Sequence, residues 1–123
     1  MITGVVTPDR EAVFRLVVRG PQGQKRRVEA VIDTGFNGFL TLPHRLVAAL
    51  HLPYHSGALA TLGDGSTVAL RKYEATLLWE GQDRDVLVLE SAGGSLAGMS
   101  LLYGSRMTLD IVDGGPVTIE ALP

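Results

Sequence analysis

The sequence predicts a mostly β domain, barrel-like or sandwich-like, with one or two short helices. Three observations carry that prediction. Short runs of β-branched and aliphatic residues recur along the whole chain. Gly-rich turn signals cut these runs at close intervals. Only the segment opened by Pro43 places apolar residues at convincing helical spacing.

The elements follow in order. Residues 13–19 are aliphatic and end at Gly20-Pro21-Gln22-Gly23-Gln24, so a strand runs into a turn. Residues 26–32 form the second strand, and the pair reads as a hairpin. After Asp33-Thr34-Gly35-Phe36-Asn37-Gly38, residues 39–42 resume as a strand. Pro43 suits a first helical turn, Leu46, Val47 and Leu50 share one face, and Leu52-Pro53 ends the helix after about two turns.

Residues 58–62 and 67–70 are β-prone on either side of Gly63-Asp64-Gly65-Ser66, a hairpin signal. Residues 73–79 and 86–89 pair around Glu80-Gly81-Gln82-Asp83. Ser91-Ala92-Gly93-Gly94-Ser95 reads as a flexible loop, and residues 96–103 as a strand followed by a short helix. Residues 107–112 and 116–122 close the chain as strands around Asp113-Gly114-Gly115. Residues 117–122 alternate apolar and polar. Left unpaired, such a strand invites aggregation, and pairing it with its symmetry mate would remove the hazard and build a dimer.

Composition narrows the function. A chain of 123 residues makes one domain, residues 1–123, with room for a sizeable core. A hydrophobic share of 46% against 20% charged marks a globular chain, not a disordered one. A net charge of -2 leaves no basic excess to neutralise phosphates, which argues against a nucleic-acid partner. With no cysteine, disulfides, thiolate metal sites and a cysteine nucleophile are excluded. The N-terminal residues lack the pattern of a signal peptide, and no run reaches the roughly 18 apolar residues that span a bilayer. The expectation is a cytoplasmic protein with no membrane partner.

Chemistry concentrates at Asp33. It ends the apolar run Ala30-Val31-Ile32 and enters a turn carrying Thr34 and Gly35. One carboxylate there has limited use. Two facing each other about 3 Å apart cannot both ionise, so they share a proton and can act together as base and acid. The chain supplies Asp-Thr-Gly once, so the second copy must come from a second chain. Asp, Thr and Gly are also ordinary turn residues. What lifts the tripeptide above a turn is its context: an apolar strand before it, Gly38 after it, then a strand and a helix.

Val31-Ile32-Asp33-Thr34-Gly35-Phe36-Asn37-Gly38-Phe39-Leu40 resembles the active-site segment of retropepsin-like (retroviral-type, clan AA) aspartic proteases, in particular their small bacterial relatives. Three more features follow in that family's order: a hairpin with Gly63-Asp64-Gly65 at its tip, in the place of the flap; the apolar-apolar-Gly segment Leu96-Ala97-Gly98; and the strand Met107-Thr108-Leu109-Asp110-Ile111. The resemblance covers about residues 12–120. It implies a closed β-barrel of the acid-protease half-domain type that works as a homodimer on a peptide or protein substrate, with no cofactor and no metal. It makes Asp33 the acid/base group, Thr34 the brace between chains, and Gly35 the residue whose carbonyl accepts a hydrogen bond from the peptide. Phe36 would line or underlie the cleft, and Gly63, Asp64 and Gly65 would close over the substrate. Viral enzymes usually carry Ala or Ser where this chain has Phe36. That departure motivates an alternative, a catalytically silent dimerisation or peptide-binding module.

Other candidates read as structure. His44 and His51 lie seven residues apart and Pro53 separates His51 from His55, which does not match metal-ligand spacing. Gly63-Asp64-Gly65-Ser66 lacks the Lys and the helix of a phosphate loop. Lys25-Arg26-Arg27 reads as a solvated hairpin end, and no serine sits in a Gly-x-Ser-x-Gly elbow. Tyr73 and Trp79 read as sheet packing.

Overall fold

A computed structural model describes residues 1–123. Ten strands and two short helices follow one another as β1 (Ile2–Val6), β2 (Ala12–Arg19), β3 (Lys25–Ile32), β4 (Leu40–Pro43), α1 (His44–Ala49), β5 (Tyr54–Thr61), β6 (Thr67–Trp79), β7 (Gln82–Ser91), β8 (Ser95–Ala97), α2 (Met99–Leu102), β9 (Ser105–Leu109) and β10 (Pro116–Ala121). All ten strands join one sheet in the order β5-β6-β7-β4-β8-β3-β2-β1-β10-β9. β2 also pairs with β6, through Val18 opposite Leu77 and Arg19 opposite Thr76. That pairing closes β6, β7, β4, β8, β3 and β2 into a six-stranded barrel. The chain is thus mostly β and barrel-like, as the spacing of its turns predicts.

The barrel is filled by inward residues of alternating strands. Phe14, Leu16 and Val18 from β2, Val28 and Ala30 from β3, Leu40 and Leu42 from β4, and Leu77, Val86 and Val88 from β6 and β7 are all buried. Each inward run skips one residue, the period of a pleated strand. β4 is buried on both faces, and its polar Thr41 is satisfied: its hydroxyl donates to the Gly94 carbonyl and accepts from the Leu96 amide. Val47 of α1 and Leu50, which caps the helix, pack into the same core.

The strand expected over 107–112 runs from Ser105 to Leu109 instead, and three further elements differ from the sequence expectation. Residues 67–79 form one strand of 13 residues, not two. Arg71 and Lys72 interrupt the apolar pattern, but the backbone runs straight through them. It pairs with β5 up to Tyr73 and with β7 from Lys72 onward. The turn that follows is two residues long, Glu80 and Gly81, both at positive φ, which matches a type I′ hairpin. Second, residues 2–6 form a strand the sequence reading does not anticipate, pairing with β2 and β10.

The third difference corrects the expected dimer strand. β10 is not a free strand awaiting a partner. β1 occupies one of its edges and β9 the other, within the same chain. The free edges of the sheet are β5 and β9.

Candidate functional site

Asp33 sits at the end of β3, where the chain leaves the barrel. Its amide donates to the Ala97 carbonyl (2.9 Å), continuing the parallel β3–β8 pairing one residue past the strand. The Phe36 amide turns back to the Asp33 carbonyl (3.1 Å), and the Gly35 amide donates to Asp33 Oδ1 (2.9 Å). These bonds hold the carboxylate in a tight loop, half-buried, with Thr34 and Gly35 exposed beside it. The Thr34 hydroxyl has no hydrogen-bond partner within the chain.

The segment after β8 braces this loop from behind. The Gly98 amide donates to the Phe39 carbonyl, the Met99 amide to the Phe36 carbonyl (2.8 Å), and the Ser100 amide to the Gly38 carbonyl (3.2 Å). The Ser100 hydroxyl donates to the Asn37 carbonyl. The first N–H groups of α2 have no partner inside the helix, and the Asp33 loop supplies their acceptors. Leu96-Ala97-Gly98 therefore lies against the Asp33 loop and leads into a short helix.

Phe36 packs inward on this brace. A β-carbon at Gly38 would stand 2.5 Å from Phe36 Cζ, and one at Gly98 would stand 2.6 Å from Phe36 Cδ2. The ring thus lies over two glycines that have no side chain to obstruct it. Gly98 is glycine for space and not for backbone angle, since its φ of -102° suits any residue.

The residues expected at the flap lie at the tip of the β5–β6 hairpin. Leu62, Gly63, Asp64, Gly65 and Ser66 are all exposed, and Gly65 takes a φ of +85°. A β-carbon at Gly63 or Gly65 would meet nothing within 4 Å, so no part of the same chain covers that side of the tip. Asp64 is engaged by its own turn: Oδ1 accepts both the Ser66 hydroxyl (2.6 Å) and the Ser66 amide (2.9 Å). These two bonds, the hydroxyl first, hold its carboxyl below the usual value of 3.8. The single chain brings Asp33, Thr34, Gly35 and Phe36 together, and no hydrogen bond joins the hairpin tip to them.

Two groups of residues escape the sequence reading. At the root of the hairpin, His44 Nδ1 lies 3.2 Å from Glu90 Oε2, and the Tyr54 and Tyr73 rings meet edge to face, 5.8 Å apart. The His44 bond is the main reason the Glu90 carboxyl falls below its usual 4.5. Tyr73 and the charges of His44 and Arg71 add to the effect, against some opposing burial. The second is Arg84, half-buried on β7, which donates to the Leu101 and Ser100 carbonyls. Neither has a motif: Arg84 sits among charged residues of a hairpin end, and Glu90 meets His44 only through β4–β7 pairing. His55 bonds Ser56, and no group of three or more His, Asp or Glu residues gathers in metal-binding geometry. No helix is long and apolar enough to cross a membrane.

The chain matches no family model and no curated protein sequence.

Proposed function

We propose that this chain is one half of a homodimeric, retropepsin-like aspartic endopeptidase in which the two Asp33 carboxylates activate a water molecule. The observation that carries the reading is the construction of the Asp33 loop. The loop that carries a single carboxylate is held at the mouth of a closed barrel by five backbone and side-chain bonds to residues 97–100, while Thr34 and Gly35 remain exposed. A turn with no further role does not need so elaborate a support. One carboxylate would take the proton of the water as it attacks the peptide carbonyl, and the protonated partner would donate to the carbonyl oxygen. The Thr34 hydroxyls, free within each chain, are available to bond across the two-fold axis. Gly63, Asp64 and Gly65 would close over a bound peptide, with Asp64 shaping the turn while its backbone faces the substrate.

The inward packing of Phe36 favours an enzyme over the silent dimerisation module. Its ring is taken up by Gly38 and Gly98, which leaves Thr34 and Gly35 accessible.

The assembly would form through β9. This five-residue strand is an open edge of the sheet, and it leaves α2 directly beyond Gly104. Met99 (46% exposed), the first residue of α2, and Tyr103 (87% exposed), just after its end, are uncovered and fit for burial by a second copy. Antiparallel pairing of two β9 strands would satisfy both edges.

The test is turnover of a peptide library by purified protein between about pH 3 and 7, where a shared-proton pair is active. Cleavage that vanishes in Asp33→Asn while the dimer persists supports the enzyme. Undiminished cleavage by Asp33→Ala would refute it, and a wild-type dimer with no turnover would favour the silent module.

A further inference from the structure

We propose that Arg84 is a positioning residue that fixes the Asp33 loop by clamping α2. The inference rests on the protease reading for its catalytic consequence, but its structural basis is independent of it.

α2 has four residues, far below the length at which a helix sustains itself in water. Neither end has a side-chain cap of its own, and no basic residue occupies its last turn. It is held from outside at both ends. The Asp33 loop takes its N–H groups, as described above. At the other end, Arg84 Nη1 donates to the Leu101 carbonyl (3.0 Å) and Nη2 to the Ser100 carbonyl (3.2 Å). The same guanidinium lies over the Phe39 ring, 5.4 Å from its centre, and Phe39 is the residue through which the Asp33 loop re-enters the barrel. One side chain thus grips the helix behind the loop and the residue that ends it.

The charge of Arg84 has no other use. The ion pairs of the chain are Met1 with Glu80, Arg15 with Glu29, Arg19 with Asp83, and His44 with Glu90. Arg84 is half-buried and belongs to none of them. Its charge is instead balanced by the negative carbonyl end of α2 and by the ring face. A lysine could supply the charge but not two diverging donors and a flat face at once.

The experiment uses full-length protein in three forms, wild type, Arg84→Met and Arg84→Lys. Peptide cleavage is measured as kcat and KM separately, and amide hydrogen exchange is followed residue by residue. Arg84→Met keeps the apolar stem and is expected to lower kcat about 10- to 100-fold with KM within a few-fold, because the substrate surface stays intact while the carboxylate loses its exact placement. Exchange is expected to quicken at least about tenfold at Phe36, Met99 and Ser100, with the β2–β3 amides unchanged. Arg84→Lys should recover little of either. Unchanged kcat, exchange that quickens evenly over the barrel, or full rescue by lysine would each overturn the proposal. If wild-type protein shows no Asp33-dependent cleavage, the protease reading fails, and the exchange pattern alone decides whether Arg84 holds the loop.

Discussion

Replacing Gly98 with alanine adds one methyl group at the most crowded point of the Asp33 loop. The new carbon would stand 2.7 Å from the Phe36 carbonyl oxygen and closer still to that of Gly38, where ordinary contact begins at 3.4 Å. Relief requires the loop and α2 to part by about 1 Å or more, and three backbone bonds cross that gap, from Gly98, Met99 and Ser100. Overpacking of this kind costs about 1–3 kcal/mol, and each backbone bond weakened adds about 1 kcal/mol. The expected total is about 4–6 kcal/mol, a fall in Tm of about 15–25 °C for a chain of this size. Thermal and urea unfolding followed by circular dichroism measure it. The Phe36→Ala background makes the test sharper. At Gly38, the three nearest atoms to an added β-carbon all belong to the Phe36 ring, so Gly38→Ala should be destabilising in wild type and nearly neutral once the ring is gone. At Gly98, the obstructing atoms include two carbonyl oxygens, so Gly98→Ala should remain costly in both backgrounds. A Gly98→Ala protein melting within about 2 °C of wild type, or one restored by Phe36→Ala, would refute the assignment of Gly98 to backbone contact.

The other expectations concern assembly, chemistry and pH. Since the chain has no cysteine, single Cys substitutions along residues 105–109 report symmetric proximity directly. Oxidation should give disulfide-linked dimers at one or two of these positions and at none of residues 116–121; the reverse pattern would move the interface to β10. Asp33→Asn should leave Tm within about 2 °C and the dimer intact while abolishing cleavage, read by gel filtration and peptide turnover. For Glu90, the folded-state carboxyl is depressed below 4.5, so its contribution is present above that pH and is lost as pH falls through the folded value. Glu90→Gln should therefore be less stable than wild type at pH 7, with the difference shrinking below about pH 4.5; a constant gap in urea titrations from pH 7 to 3 would contradict this.

Much of the fold is legible in the chain because turns and strand runs are local. Gly20-Pro21-Gln22-Gly23, Gly63-Asp64-Gly65 and Glu80-Gly81 each mark a hairpin, with Gly23, Gly65 and Gly81 supplying positive φ. Asp33 stands out for the same reason: its apolar approach and its glycines are contiguous. What the chain hides is pairing at a distance. Whether β6 is one strand or two depends on β5 and β7 beside it, and β1 counts as a strand only because β2 and β10 flank it. The terminal run at 116–121 has the same alternation whether its edges are free or filled, so the reassignment of the open edge from β10 to β9 is invisible before the sheet is assembled.

The sequence by itself determined a mostly β chain with a single Asp-Thr-Gly in an apolar setting, because strand period, turn chemistry and residue count need no tertiary partner. Only the tertiary structure decided where Phe36 goes, which strand edge stays open, and that Arg84 serves α2. Each of these depends on which backbone groups and which empty glycine positions meet in space. Residues 36, 84 and 98 are far apart along the chain and converge only when the barrel closes.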